Sequence, residues 1–161
     1  MQNGIITILN KEYSIEFSKK LFLKEKVVKL LDKIVVFTTS EHQYSHHKIL
    51  VKWLKKESKD FINKRVKILA ERYSFNYNKV AIKDQSSIWG SCSSKKNLNF
   101  SWRLILAPLP ILDYVILHEL SHTRQMNHSK AFWDVVEGHM PQYKEFKEWL
   151  RLNGKYLKKM I

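Results

Sequence analysis

The chain is poor in cysteine, glycine and proline. Its only cysteine, Cys92, cannot form an internal disulfide, which fits a reducing compartment. Four glycines and three prolines in 161 residues argue against a long linker or a low-complexity tail. No apolar run approaches the roughly 20 residues of a membrane span, and no basic and apolar leader follows Met1. We therefore expect a cytoplasmic protein that does not enter the membrane.

Acidic residues are also scarce, at 15 against 29 basic residues, and the net charge is +14. Residues 48–72 contain nine Lys or Arg and three Asp or Glu, residues 144–159 contain six and two, and residues 107–139 contain two and four. Such a basic surface raises the encounter rate with polyanions such as nucleic acid. The alternative, a solvated lysine-rich surface, is favoured, because most of the excess is Lys rather than Arg and spreads over several elements.

The hydrophobic fraction of 44% is that of a globular protein. We predict one domain over residues 1–161, with strands in residues 1–40 and a helical and catalytic part in residues 41–161. Strands are expected at Gly4–Leu9, Tyr13–Phe17, Ile34–Thr38, Val80–Ile82, Ile88–Ser91 and Leu98–Leu106, the first two as a hairpin. Leu21–Leu31 fits a strand or a helix equally well.

Helical periodicity covers residues 43–73, as one long helix or two with a break near Ser58. Pro110 is suited to the first position of a helix through Gln125 that is apolar nearly all round and therefore buried. Ser129 can begin a helix to about His139. A last helix should start at Pro141 and stop at Asn153-Gly154.

The buried helix carries His118-Glu119-Leu120-Ser121-His122. Histidines four residues apart share one helix face, so both imidazoles can bind one Zn²⁺. Glu119 can hydrogen-bond the metal-bound water and act as general base during attack on a peptide carbonyl, because zinc lowers the pKa of that water to about 7.

A catalytic zinc site needs a third protein ligand. His128 is the first candidate, because a turn at Asn127 could fold the chain back over the metal. Glu137, on the next helix, is the alternative and would give an equally plausible site of two histidines and a glutamate.

Several motifs together resemble the YgjP-like metallopeptidases, which are related to the SprT-like and WLM-domain proteases. The motifs are Ile88-Trp89-Gly90-Ser91-Cys92-Ser93-Ser94, Asn97-Leu98-Asn99-Phe100, Trp102-Arg103-Leu104, the HExxH stretch from His118, and Met126-Asn127-His128-Ser129-Lys130-Ala131-Phe132-Trp133. The strong match covers about residues 79–150, and the N-terminal half matches in general character only.

The resemblance implies an α+β, zincin-like fold, in which a small mixed β-sheet packs on a central active-site helix with further helices on both sides of the motif. It implies His118, His122 and His128 as zinc ligands, Glu119 as general base, and peptide or protein substrates. One departure is Ile88, where the family usually has a basic residue.

Other residues admit a functional and a structural interpretation. Trp89, Trp102, Phe132 and Trp133 could line a cleft, although core packing is expected for most of them. Cys92 is expected to be structural. His42, His46 and His47 are expected to be solvated. Candidates for a second electrophile beside zinc are Tyr114, Tyr143 and His139.

The strand at Asn97–Trp102 is expected at a sheet edge, where it could hold an extended peptide. The main functional hypothesis is thus a zinc endopeptidase. The alternatives are a basic nucleic-acid-associated protein, including a protease acting on DNA-bound proteins, and a zinc hydrolase of another amide bond.

Overall fold

The computed structural model describes residues 4–19, 24–40, 42–85 and 87–159. Within them it contains seven strands, one 3-10 helix and four α-helices. The strands are β1 (Ile5–Ile8), β2 (Lys11–Lys19), β3 (Lys26–Lys29), β4 (Lys33–Thr38), β5 (Lys79–Lys83), β6 (Gly90–Cys92) and β7 (Asn97–Ser101). The 3-10 helix is Trp102–Leu106, and the α-helices are α1 (Gln43–Arg72), α2 (Leu109–Ser121), α3 (Lys130–His139) and α4 (Tyr143–Lys159).

The N-terminal sheet has the strand order β1-β2-β4-β3. The predicted hairpin is confirmed: β1 and β2 are antiparallel, and Leu9 and Asn10 both have the positive φ that a type I′ turn requires. β2 and β4 are parallel, and β3 is antiparallel to β4. The ambiguous segment Leu21–Leu31 therefore contains a strand, while residues 21–23 lie outside the described residues.

Helix α1 runs without interruption through Ser58, so of the two alternatives the single helix is correct. Ser58 is fully buried, but its hydroxyl donates a hydrogen bond to the Trp102 carbonyl oxygen at 2.8 Å. Because the polar group is satisfied, it does not disrupt the helix. The first half of α1 packs on the N-terminal sheet and the second half on α2.

The second sheet has the order β5-β7-β6, with β7 parallel to β5 and antiparallel to β6. The strand predicted for Leu98–Leu106 ends at Ser101, and its second half is the 3-10 helix. The 3-10 segment includes four buried side chains, Trp102, Leu104, Ile105 and Leu106. Burial without alternation reflects packing on several sides, which an apolar run does not distinguish from a strand.

Helix α2 lies at the centre, and ten of its thirteen residues are buried. It begins at Leu109, one residue before the predicted start, and ends at Ser121, four residues before the predicted end. The predicted stop of the last helix at Asn153-Gly154 is wrong, because α4 continues to Lys159. Gly154 is buried instead against the Trp89 indole, whose Nε1 lies 3.2 Å from an ideal Cβ at that position.

The α+β architecture is confirmed, with two small mixed sheets in place of the one expected. Its two groups of buried residues share partly buried neighbours, among them Phe61, Ile82 and Phe146. The assignment of the whole chain to one domain stays a prediction. Among the described residues, no helix is both long enough and apolar enough to cross a membrane.

Candidate metal centre

Helix α2 carries His118 near its C-terminal end, and His122 follows its last residue with a helical backbone conformation, so the two side chains share one face. The two ring centroids are 5.0 Å apart. Their helix is positioned from both sides, by α1 through the paired Arg65 and Asp113 and by the aromatic residues of α3. The i, i+4 spacing read from the sequence therefore corresponds to two neighbouring imidazoles.

His128 follows the end of α2 and returns to the same place. Its ring centroid lies 5.0 Å from that of His118 and 4.6 Å from that of His122. One ligating nitrogen from each of the three rings lies within 4.8 Å of the others. The turn around Asn127 thus places His128 as expected from the sequence.

Glu137, the alternative third ligand, lies outside this group. It is exposed on α3, and its Oε1 is 3.9 Å from Nζ of Lys144. Among the described residues, the potential metal-binding cluster consists of the three histidines.

The three histidines fit a tetrahedral metal ion. Zn–N bonds of 2.0–2.1 Å place two tetrahedral nitrogens about 3.3 Å apart, and Nε2 of His118 and Nε2 of His128 are 3.0 Å apart. A hydrogen bond between these two nitrogens would leave His122 out, whereas one metal ion could bind a nitrogen of each of the three rings. His122 donates from Nδ1 to the Gln125 carbonyl oxygen at 3.1 Å, which leaves Nε2 available to a metal.

His118 and His122 differ in the hydrogen bonding of their Nδ1 atoms. The Nδ1 of His118 is buried, and no hydrogen-bond partner for it exists within the part of the chain that the structure describes. Burial, then the neighbouring His122, His128 and Lys147, lower the pKa of His118 to about 3. Burial also lowers the pKa of His122. Both imidazoles are therefore neutral near pH 7, the form that binds a metal.

Glu119 follows the first histidine and packs against strand β6. Its side chain is buried and lies next to Gly90, where an ideal Cβ would come within 2.7 Å of its Oε1. Burial raises the pKa of Glu119 to about 8. The backbone of β6 thus forms a wall that holds a readily protonated carboxyl group beside the histidines.

Aromatic rings surround the cluster. Phe132 is fully buried and stacks on His122 at 4.4 Å between centroids. Trp133 is half-buried, with its centroid 5.8 Å from those of both His118 and His128. Trp102 belongs to the core, and Trp89 packs beside Gly154. Trp133 is therefore the tryptophan of this set that borders the histidines.

Two of the three candidate electrophiles lie near the histidines. Tyr114 is 6.0 Å from His118 between ring centroids, and burial raises the pKa of Tyr114 to about 12. Tyr143 stacks on Trp133. His139 instead packs against Tyr73 and Phe75, at 4.6 and 5.4 Å.

The strand expected at the sheet edge is in the middle of its sheet, because β7 pairs with β5 as well as with β6. Among the described strands, β6 pairs with β7 alone. Ser101 N–H donates to the Trp89 carbonyl and Ser93 N–H to the Asn97 carbonyl. Since antiparallel residues alternate in direction, the amides and carbonyls of Gly90 and Cys92 point away from β7. Within the described part of the chain, β6 is therefore an edge strand of this sheet, and Glu119 packs against its residue Gly90.

The structure also describes Cys92 and the histidines of the N-terminal half, for which the sequence predicted no role in the site. Cys92 ends β6 and is not one of the three clustered ligands, and burial, followed by the nearby Glu119, raises the pKa of its thiol, so its structural role stays a prediction. His46 is not solvated: it is buried, stacks on Phe17 at 4.7 Å, and its Nε2 donates to the Ser40 carbonyl oxygen at 2.8 Å. Packing of α1 on β2 causes this burial, whereas His42 and His47 are exposed as expected.

A polar residue that sequence reasoning missed is Lys147. It lies on α4 with its Nζ 4.6 Å from the Trp133 ring centroid. The sequence contains no local signal for this contact, because Lys147 is one of many lysines and Trp133 lies on another helix.

A small mixed sheet over a helix with paired histidines defines a zincin-like metallopeptidase fold. Two solved structures share it. The metallopeptidase zymogen jannalysin of Methanocaldococcus jannaschii is 22% identical, with a TM-score of 0.51 over 57% of this chain and 95% of that chain. The metallopeptidase zymogen abylysin of Pyrococcus abyssi is 19% identical, with a TM-score of 0.52 over 62% of this chain and 99% of that chain.

The chain belongs to the YgjP-like family, whose metallopeptidase domain model matches residues 1–153. The match thus includes the N-terminal strands, where the motifs alone indicated only a general likeness. No curated protein matches the chain. The family supports an enzyme that acts on peptides or proteins, and neither comparison supports nucleic-acid binding.

Proposed function

We propose that this protein is a zinc-dependent metallopeptidase in which His118, His122 and His128 hold the ion and Glu119 is the general base. The observation that carries the proposal is the convergence of three imidazoles, two of them with lowered pKa values, beside a buried glutamate. The three-nitrogen donor set and the one remaining tetrahedral position are those of a catalytic zinc site.

When bound, zinc would supply a Lewis acid that lowers the pKa of a coordinated water. Glu119 would take a proton from the attacking water on its carboxylate and later deliver it to the leaving amine. The raised pKa of Glu119 suits both steps, because a group that titrates near neutral pH can accept and release a proton there. The Gly90 backbone limits the positions of the carboxylate.

We further propose that an extended substrate adds to the outer edge of β6. The outward amides and carbonyls of Gly90 and Cys92 could hydrogen-bond its main chain, as in other cases of strand addition. Glu119 packs against Gly90 of the same strand, and the proposal places the scissile carbonyl of the bound peptide close to this general base. The proposal also includes a cytoplasmic location, which rests on the sequence alone.

The proposal is tested by hydrolysis of a denatured protein and of a random peptide pool by zinc-reconstituted enzyme. Wild type should cleave both, and a chelator should abolish cleavage reversibly. Glu119→Gln should lose at least about a hundredfold in kcat while it keeps zinc, because it preserves shape and removes the proton acceptor. Full activity of Glu119→Gln would contradict the assigned base, and zinc-loaded wild type that cleaves nothing would contradict the peptidase.

A further inference from the structure

A cavity of about 390 Å³ adjoins the histidine cluster, between α3 and the first half of α4. Its lining combines aromatic rings with charged groups: Trp133, Tyr143, Lys144, Lys147, Glu148 and Arg151. The rings of Trp133 and Tyr143 stack on each other at 5.1 Å with an interplanar angle of 18°, and both line the cavity. The same Trp133 ring borders His118 and His128, so cavity and metal centre share a wall.

The charged groups of the cavity are unequally paired. Arg151 binds both carboxylate oxygens of Glu148, at 2.6 and 2.7 Å. Lys144 lies 3.9 Å from Glu137. Lys147 contacts the Trp133 ring, and among the described residues no carboxylate lies within ion-pair distance of its Nζ. The cavity therefore contains an excess of positive charge whose unpaired member is Lys147.

We propose that this cavity is a carboxylate-binding subsite and that Lys147 makes the enzyme prefer peptides with a carboxylate near the scissile bond. The inference rests on the proposed function. Lys147 would donate to the carboxylate, and the stem of the same substrate residue would pack on Trp133 and Tyr143. A charge-assisted hydrogen bond next to an aromatic wall is more selective than an exposed lysine alone.

The short distance to the cluster limits which substrate residue can reach the subsite. Consecutive Cα atoms are about 3.8 Å apart, and Lys147 and His118 both lie next to the Trp133 ring, at 4.6 Å and 5.8 Å from its centroid. The proposed carboxylate therefore belongs to a residue only a few positions from the scissile bond. An Asp or Glu side chain and the C-terminal carboxylate of a short peptide both satisfy this condition.

Binding is measured with zinc-loaded Glu119→Gln protein, so that peptides are not consumed. The probes are fluorescein-labelled, alanine-based octapeptide amides with Glu or Gln at each position in turn. A second pair compares an all-Gln peptide as free acid and as amide, which separates a C-terminal from a side-chain carboxylate. We expect at least about fivefold tighter binding of the carboxylate member of a pair, and loss of that difference in Lys147→Ala.

Reversal of the charge at residue 147 is a more stringent test of the subsite than its removal. Lys147→Glu should bind an octapeptide amide with Lys at the selected position more tightly than the corresponding Glu peptide, whereas Lys155→Glu should keep the carboxylate preference. Lys155 is the matched control, since it is an exposed lysine on the same helix and does not line the cavity. If both reversals changed the carboxylate preference equally, the preference would come from the net charge of the protein, and the subsite would be overturned.

The same peptides with wild-type enzyme separate the two proposals. Carboxylate preference in binding without hydrolysis of any peptide would retain the subsite and contradict the peptidase. Hydrolysis with no carboxylate preference in binding would retain the peptidase and overturn the subsite. If Lys147→Ala instead lowered kcat equally for the Glu and Gln peptides and left binding unchanged, the lysine charge would act on the reacting groups and not on a substrate carboxylate. That result would also overturn the subsite.

Discussion

Gly90 and Glu119 are in such close contact that residue 90 has no room for a side chain. An ideal Cβ on Gly90 would lie 2.7 Å from both Cγ and Oε1 of Glu119. The collision involves the carboxylate itself, so an added methyl group must displace the proposed base or move β6. The glycine in the Trp89-Gly90-Ser91 stretch is therefore explained by close approach to the site.

Gly90→Ala should lower kcat by about a hundredfold, because a displacement of about 1 Å of a reacting group can have that effect. Zinc content should be unchanged, since neither Gly90 nor Glu119 is one of the three proposed ligands. The matched control is Gly138→Ala on α3, where no described atom lies within 4 Å of an ideal Cβ. Wild-type activity of Gly90→Ala would show that Glu119 does not need its observed position.

The stability of the metal-free protein should depend on pH through Glu119. Its pKa is raised from 4.5 to about 8 by burial, so the folded state binds the proton more tightly than the unfolded state. This contribution is complete below pH 4.5 and is lost as pH rises through 8. A shift of that size corresponds to roughly 5 kcal/mol at most.

Urea unfolding of metal-free wild type and Glu119→Gln between pH 4.5 and 8.5 measures this effect. The stability difference should move in favour of the glutamine variant as pH rises. The lowered pKa values of His118 and His122 reduce stability as pH falls below 6.5, but this contribution is common to both proteins and cancels in the difference. A difference that does not vary with pH would contradict a buried, protonated Glu119.

Arg65 and Asp113 connect α1 to the helix that carries the histidines. Arg65 Nε and Nη2 donate to the two Asp113 oxygens at 2.6 and 2.5 Å, and the aspartate side chain is 13% exposed. Asp113→Ala should lower the free energy of unfolding by about 2–3 kcal/mol, because it leaves a partly buried guanidinium unpaired.

The control for this pair is Glu71→Ala, which removes an exposed contact of 3.9 Å with Lys67 and should change stability by less than about 0.5 kcal/mol. Thermal and urea unfolding of the zinc-loaded proteins are compared. If the two substitutions were equally mild, the Arg65–Asp113 pair would not be what holds α1 on α2.

The outward-facing edge of β6 can be tested with proline. Cys92→Pro removes an amide that points away from β7, so it should raise KM for peptides about tenfold with little loss of stability. Cys92→Ala separates the thiol from the amide. Ser91→Pro removes an amide directed at β7 and should unfold the sheet. Unchanged KM in a folded Cys92→Pro variant would exclude strand addition at this edge.

The features that the sequence predicted correctly depend on local spacing. His118 and His122 are four residues apart on an apolar helix, and His128 follows a short turn, so their proximity needs no knowledge of distant contacts. The β1–β2 hairpin is local in the same sense. The positions of these residues follow from the geometry of a helix and of a tight turn alone.

The features that the sequence did not predict depend on contacts between distant segments. Gly154 lies inside α4 because Trp89 packs on it, not because it ends the helix. β7 is central because β5, which precedes β6 in the chain, pairs in parallel with its other side. His46 is buried because Phe17 of β2 covers its ring. A periodicity of hydrophobic residues contains no information about such partners.

The most direct test of the metal centre is the zinc content of purified protein after reconstitution and dialysis. Wild type, His128→Ala, Glu119→Gln and Glu137→Ala are compared, the last because it removes the alternative ligand. We predict about one zinc per chain in the wild type, Glu119→Gln and Glu137→Ala, and loss of most of the zinc in His128→Ala. Full zinc in His128→Ala, or loss of zinc in Glu137→Ala, would contradict the three-histidine site.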